Sequence, residues 1–119
     1  DPSRHMFELL INDLVRIAHW SDARVHAEGL DACVGPFTLH IRQHDGLLTA
    51  FIPLGNVVPC ALADFSDWPV LHLSSVAEQD DTLLWAREWI ERLDGAALST
   101  LVERLLTQAH LLSCSGPMA

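Results

Sequence analysis

The clearest structural signal of the chain lies in residues 37–55, FTLHIRQHDGLLTAFIPLG. Its first part alternates apolar with polar residues, in the order Phe37, Thr38, Leu39, His40, Ile41 and Arg42. This two-residue period is typical of a strand with one buried face, because successive side chains point to opposite sides. Asp45-Gly46 supplies the positive φ angles of a tight turn, and residues 47–53 form the returning strand. The segment therefore predicts an antiparallel β-hairpin.

Three further segments on either side of this hairpin have strand character. Residues 24–28 form a weaker strand that ends near Gly29, and residues 70–75 form another. The segment TLLWAREWIER, residues 82–92, is ambiguous. A strand places Trp85 and Trp89 on the same face, whereas a helix capped by Asp81 places them one turn apart. Periodicity does not decide between the two structures, and both stay open.

Two amphipathic helices enclose the strands. The first has apolar residues at three- and four-residue steps, namely Phe7, Leu10, Ile11, Leu14, Val15 and Ala18. The second runs from about residue 96 to residue 112, and Asp94 is its predicted N-cap. Residues 57–68 hold a short helix at most. These elements predict an α+β fold with an antiparallel sheet of about five strands, helices packed on it, and the order α-β-β-β-α-β-β-α.

The chain has the length of one domain, which we assign to residues 6–113. The opening residues 1–5, before Met6, have no apolar core of a signal sequence and are interpreted as an expression-tag remnant. Residues 114–119 are predicted to be a flexible C-terminal tail. No apolar run approaches the ~18–20 residues that a membrane-spanning helix needs.

The amino-acid composition of the chain excludes several classes of function. The 119 residues are 50% hydrophobic and 19% charged, which excludes a disordered chain. The chain has sixteen acidic residues, seven arginines and no lysine, which gives a net charge of −9. Nucleic acid and anionic membranes both need a basic surface, so a protein or a small ligand remains as the partner. The three cysteines, Cys33, Cys60 and Cys114, form no CxxC pair, which favours a reducing cytoplasm.

Motifs for catalysis or metal binding are missing from the sequence. There is no glycine-rich phosphate loop, no GxSxG nucleophile and no HExxH pair. His40 and His44 lie four residues apart on an extended segment, which separates them by roughly 13 Å and excludes a shared metal ion. Cys60 has no visible activating neighbour, so we interpret it as a packing residue. We predict no catalytic residue, no metal site and no cofactor.

The apolar residues of the strands exceed what one sheet face can hold. Leu47, Leu48, Ala50, Phe51 and Ile52 occupy consecutive positions that must point to both sides of the sheet. The same holds for the segment 82–92 if it is a strand, and four tryptophans are many for so small a core. Because a monomer rarely exposes such a patch, the pattern predicts dimerisation or partner binding. The alternative is that this chain alone covers both faces.

At this length and acidity, the predicted order of elements resembles the class I chaperones of bacterial type III secretion. Three stretches carry the resemblance: FELLINDLVRIAHW is similar to the family's first helix, FTLHIRQHDGLLTAFIPLG to its central hairpin, and residues 71–112 to its closing strand–turn–strand–helix. The resemblance covers nearly all of residues 6–112. It departs from the family at residues 57–68, where the second helix is usually longer and contributes to the dimer.

The resemblance implies a non-enzymatic, cytoplasmic homodimer that holds the N-terminal region of a secreted effector in an export-competent form. It implies that a partner-binding groove is shaped by Phe7, Leu10, Leu14, Leu39, Ile41 and Phe51. It also implies a dimer contact near Leu71, Leu73, Trp85 and Trp89, and it favours a strand at residues 82–90. Two alternatives are a chaperone-like protein that sequesters a regulator of secretion genes, and an α+β domain that binds a small molecule.

Overall fold

The computed structural model describes residues 2–20, 22–55, 68–76, 78 and 81–114. Its helices are α1, Pro2–Ala18, and α2, Gly95–Cys114, and a short 3-10 helix spans Ile90–Arg92. The strands are β1 Ala23–His26, β2 Gly29–Val34, β3 Phe37–His44, β4 Leu47–Pro53, β5 His72–Val76 and β6 Asp81–Trp89. They form one antiparallel sheet in the order β1-β2-β3-β4-β6-β5.

The predicted α+β class and antiparallel sheet are confirmed, but the predicted number of strands is wrong. The sheet has six strands, because the weak strand predicted at residues 24–28 is the first half of a β1–β2 hairpin. Its second half, GLDACV, contains Gly29, Asp31 and Ala32, which are poor strand formers. Pairing with β3 along the whole of β2 overrides that weak local preference. The predicted helix at residues 57–68 lies almost entirely outside the described residues.

The ambiguous segment 82–92 is a strand that ends in a 3-10 turn. β6 pairs with β4 from Leu47–Trp89 to Pro53–Leu83 and with β5 on its other side. Its side chains alternate between buried and half-exposed up to Ala86. Local sequence leaves both structures open, and the two neighbouring strands supply the hydrogen bonds that select the strand.

The turns and caps follow the expected local chemistry. Asp45 and Gly46 have φ angles of 52° and 79°, which the tight β3–β4 turn requires. The Oδ1 atom of Asp94 accepts a hydrogen bond of 2.8 Å from the Ala97 backbone N–H, so Asp94 is the N-cap of α2 as predicted. α1 begins at Pro2 and therefore includes part of the predicted tag remnant.

One face of the sheet carries the core. α1 and α2 pack on this face, and their apolar stripes meet the inward side chains of β2, β3, β4 and β6. The largest fully buried side chains are Ile11, Leu14, Leu30, Leu39, Ile41, Leu48, Ile52, Leu84, Ile90, Leu98, Leu101 and Leu105. No described helix is long and apolar enough to cross a membrane.

Gly29 allows β2 to approach β3 closely. A Cβ atom at this position would lie 1.8 Å from the backbone oxygen of Ile41. We expect Gly29→Ala to lower the free energy of unfolding by about 2–4 kcal/mol, because the paired strand must move. Chemical denaturation followed by circular dichroism measures this loss.

Gly35→Ala is the matched control for this prediction. Gly35 also has a positive φ, of 60°, but nothing lies within 4 Å of the added Cβ. Its substitution introduces only backbone strain of about 1 kcal/mol. Equal losses of stability in the two variants would contradict the close approach at Gly29.

Candidate partner-binding surface

The sheet has a second face, turned away from α1 and α2, which we call the open face. Side chains alternate between the two faces along β3, β4 and β6. Leu39, Ala50 and Leu84 point to the core, so their sequence neighbours point to the open face. No described helix packs on the open face. Its large apolar side chains are Leu47, Phe51, Leu83, Trp85 and Trp89, all of them half-exposed or exposed.

A row of aligned side chains crosses the open face from one edge of the sheet to the other, and we call it the central row. The strand register pairs its members in the order Arg24, Asp31, His40, Phe51, Trp85 and His72. The His40 ring stacks on Phe51 with centroids 5.0 Å apart, and His72 stacks on Trp85 at 4.3 Å. The central row therefore places planar rings side by side on four neighbouring strands.

Trp85 is held in place by polar partners as well as by stacking. Its indole Nε1 donates a hydrogen bond of 2.9 Å to the Ser74 hydroxyl, on β5. The Arg87 guanidinium lies 5.0 Å from the ring centroid, and its Nε donates a hydrogen bond of 3.1 Å to the Thr49 hydroxyl. These contacts fix a large, half-exposed ring before any partner arrives, which lowers the entropy cost of binding to it.

At the other end of the central row, Asp31 joins three strands. Its Oδ1 lies 2.7 Å from His40 Nδ1 and accepts a hydrogen bond of 2.8 Å from Arg42 Nη2, while its Oδ2 lies 2.9 Å from His26 Nε2. Arg42 also donates to the carbonyl oxygens of Leu30 and Ile41. β1, β2 and β3 are thus connected through one carboxylate.

The pKa of the Asp31 carboxyl follows from these contacts. Burial by itself raises this pKa, but hydrogen bonds from His40, Arg42 and His26 outweigh burial. The pKa is held well below its usual range, so Asp31 is ionised at neutral pH. An ionised Asp31 keeps His40 oriented against Phe51.

Charge is distributed unevenly between the open face and the rest of the chain. The open face carries Arg24, Arg42 and Arg87 against Asp31 and Asp81, whereas the whole chain has a net charge of −9. The acidic residues therefore lie mainly elsewhere on the described surface. A partner on the open face meets apolar rings flanked by arginines and not a repelling acidic field.

The structure does not bring the six predicted partner-binding residues together on one surface. Five of them are buried in the core, with exposed fractions of 0–6%: Phe7, Leu10, Leu14, Leu39 and Ile41. Phe51 points the other way, to the open face, and is half-buried. The five buried side chains support the sheet from beneath, and their predicted role in partner binding stays a prediction.

The four predicted dimer residues lie at the β5–β6 side of the sheet. Trp85 and Trp89 are both on the open face, and Trp89 is 45% exposed. Leu71 and Leu73 are half-buried and pack against the core. Asp31, Arg42 and Arg87 are not among the predicted site residues, because their positions on the open face depend on strand register. An alternation of Leu30, Ala32 and Val34 with Asp31 and Cys33 was the available signal.

Comparison with known proteins shows the fold. No protein-family model and no curated protein sequence matches the chain. A chain of the ExoT–SpcS complex from Pseudomonas aeruginosa superposes with a TM-score of 0.77 and 24% identity, over 90% of this chain and 97% of that chain. A chain of the HopA1–SchA chaperone–effector complex gives 0.74 and 13%, over 97% and 98%.

A third similar structure is that of the Yersinia pestis type III secretion chaperone SycH in complex with a fragment of YscM2. It gives a TM-score of 0.71 and 15% identity, over 91% of this chain and 99% of that chain. The chain therefore has the fold of type III secretion chaperones, and the resemblance inferred from the sequence is confirmed at the level of fold.

Asp31→Asn tests the three-strand network. A carboxyl whose pKa is lowered on folding contributes stability above its unfolded pKa of about 3.9, and this contribution is lost as pH falls through the folded pKa. We expect the variant to be less stable by about 1–2 kcal/mol at pH 7, since the carboxylate is partly exposed. The difference from the parent chain should shrink below about pH 4. Urea denaturation at a series of pH values measures it.

Asp45→Asn serves as the control for Asp31→Asn. Asp45 is 87% exposed and contacts only the exposed His44 in the part of the chain that the structure describes. This control should have little effect at any pH. A loss in Asp31→Asn that is the same at pH 7 and pH 3 would contradict the ionic character of the network.

Proposed function

We propose that the chain is a cytoplasmic type III secretion chaperone that binds the N-terminal region of a secreted effector. In this role it keeps the effector soluble and export-competent, and it has no enzymatic activity of its own. The observation that carries the proposal is the chaperone fold, with an open face of half-exposed rings that the described part of the chain does not cover. A binding protein needs such a surface, whereas an isolated monomer gains nothing from it.

The same surface supports a homodimer through Trp85 and Trp89. Completing the burial of the five large apolar side chains of the open face contributes about 1 kcal/mol each, so one face supplies about 5 kcal/mol. Association itself costs about 4–15 kcal/mol, which one such face barely offsets. A second copy brings an identical face, and a two-fold interface then buries these side chains of both copies, while the β1–β3 side of each open face stays available to the effector. The proposed dimer thus doubles the apolar contribution to about 10 kcal/mol.

For the effector, the proposed mechanism is burial of its apolar anchors. A segment that is not folded exposes apolar side chains, and contact with the chaperone removes them from water without requiring the segment to fold. The acidic surface outside the open face keeps the complex soluble. The proposal needs no cofactor and no chemical step.

Trp89→Arg tests the proposed dimer. Trp89 is 45% exposed at the end of β6, so its replacement leaves the core intact. Two arginines brought into a two-fold apolar contact repel each other, and we expect the dissociation constant of the dimer to rise about 100-fold or more. Light scattering over a range of protein concentrations measures this change.

The matched control for Trp89→Arg is Leu9→Arg. Leu9 is 53% exposed on α1, away from the open face, and should leave the dimer unchanged. A parent chain that stays monomeric at high concentration contradicts the proposed dimer, and so does a dimer that tolerates Trp89→Arg.

Co-expression with secreted proteins tests the proposed function itself. Genes for such chaperones usually lie beside those for their clients, so each neighbouring open reading frame supplies a candidate. We expect the N-terminal region of one candidate to co-purify with the chain and to become protected from limited proteolysis. The remainder of the same candidate, without its N-terminal region, should not co-purify. Failure of every secreted candidate to bind would contradict the proposed function.

A further inference from the structure

A groove lies on the helical side of the molecule, opposite the open face. It has a volume of about 190 Å³ and lies between the C-terminal half of α1 and residues 99–106 of α2, and we call it the helix groove. Its floor is formed by the buried side chains of Leu14 and Val102. Ile17, Trp20 and Leu106 form its walls, and Ile17 remains 45% exposed.

The helix groove has the capacity for one large apolar side chain. Engineered cavities of about 150 Å³ lined by aliphatic residues bind benzene, so a groove of 190 Å³ accepts a leucine, methionine or phenylalanine side chain. Its apolar side chains gain contacts when such a side chain enters, and Ser99 and Glu103 complete the lining. A single inserted side chain still needs a second interaction to fix the orientation of its segment.

The rim of the helix groove supplies that interaction, and its charge is negative. The exposed carboxylate of Glu103 lines the groove. The groove also contains Ile17 and Ala18, the last residues of α1, where the helix dipole contributes partial negative charge. Arg16, in the last turn of α1, is already paired with Asp13 on its own helix at 2.6 Å. Both charged features of the groove therefore attract a cation.

We infer that the helix groove is a docking site for a cationic amphipathic segment of a client protein. One large apolar side chain of the segment enters the groove, and a lysine or arginine close to it in sequence pairs with Glu103. The net charge of −9 favours the approach of such a segment over long range. The inference relies on the proposed function only for the source of the segment.

Synthetic peptides test this inference with the full chain. The first peptide is an amphipathic helix of about 16 residues with leucine on one face and arginine on the other, and the second carries glutamate in place of arginine. Isothermal titration calorimetry should show binding of the arginine peptide and none of the glutamate peptide. Binding of both peptides with similar affinity overturns the inference.

Paired variants locate the site. Glu103→Arg should weaken binding of the arginine peptide about tenfold or more, whereas Asp45→Arg, an equal charge change on the exposed β3–β4 turn, should weaken it less than about threefold. Ile17→Asn should weaken it similarly to Glu103→Arg, while Leu9→Asn, also exposed on α1 but outside the groove, should not. Equal effects within either pair overturn the inference, because the attraction is then diffuse.

Failure of the helix groove is distinguishable from failure of the proposed function. If the peptide binds to parent chain and to Trp89→Arg alike, and Glu103→Arg weakens both, the docking site stands even where no secreted protein co-purifies. If a secreted protein co-purifies equally with the parent chain and with the Glu103→Arg and Ile17→Asn variants, the function stands and the docking site is overturned.

Discussion

Side chains along β3, β4 and β6 alternate between the two faces of the sheet, and this alternation determines both the core and the open face. Each residue that these strands send to α1 and α2 obliges its neighbour to point away from them. Ala50 and Phe51 show the consequence, because Ala50 is fully buried among the core residues and Phe51 is half-exposed on the opposite face. Two helices cover the four strands β2, β3, β4 and β6 on one face, and no described helix covers the apolar residues of the other face.

Polar contacts organise that second face without covering it. Asp31 contacts the side chains of His26, His40 and Arg42. Trp85 stacks on His72, donates a hydrogen bond to Ser74 and lies beside Arg87. Such contacts are individually modest on a partly exposed surface, yet together they hold the rings of the central row in one arrangement. A rigid platform of this kind binds at a lower entropy cost than a mobile one. The stability of the sheet and the proposed recognition of a partner therefore depend on the same side chains.

The sequence was most informative where structure depends on near neighbours. The hairpin at residues 37–55, its Asp45-Gly46 turn and the Asp94 cap were all predictable, because a few adjacent residues determine them. β2 and the strand at residues 81–89 were harder, since their backbone partners lie far along the chain. The residues of the candidate site were hard to predict for the same reason, because they depend on distant parts of the chain. The excess of apolar residues predicted a second apolar face. Whether Leu39 or His40 points to that face depends on the strand register and on the position of the helices.

The placement of α1 has a consequence for how the chain acquires its structure during synthesis. β1 to β4 are joined by tight turns and pair with their immediate predecessors, so they can assemble from local contacts as they leave the ribosome. α1 precedes the sheet in the chain, but it packs largely against α2 and the 3-10 helix, which follow the sheet. The apolar stripe of α1 therefore stays partly exposed until α2 has been synthesised, more than ninety residues later. Of the described helices, α1 is therefore the one that stays exposed longest during synthesis.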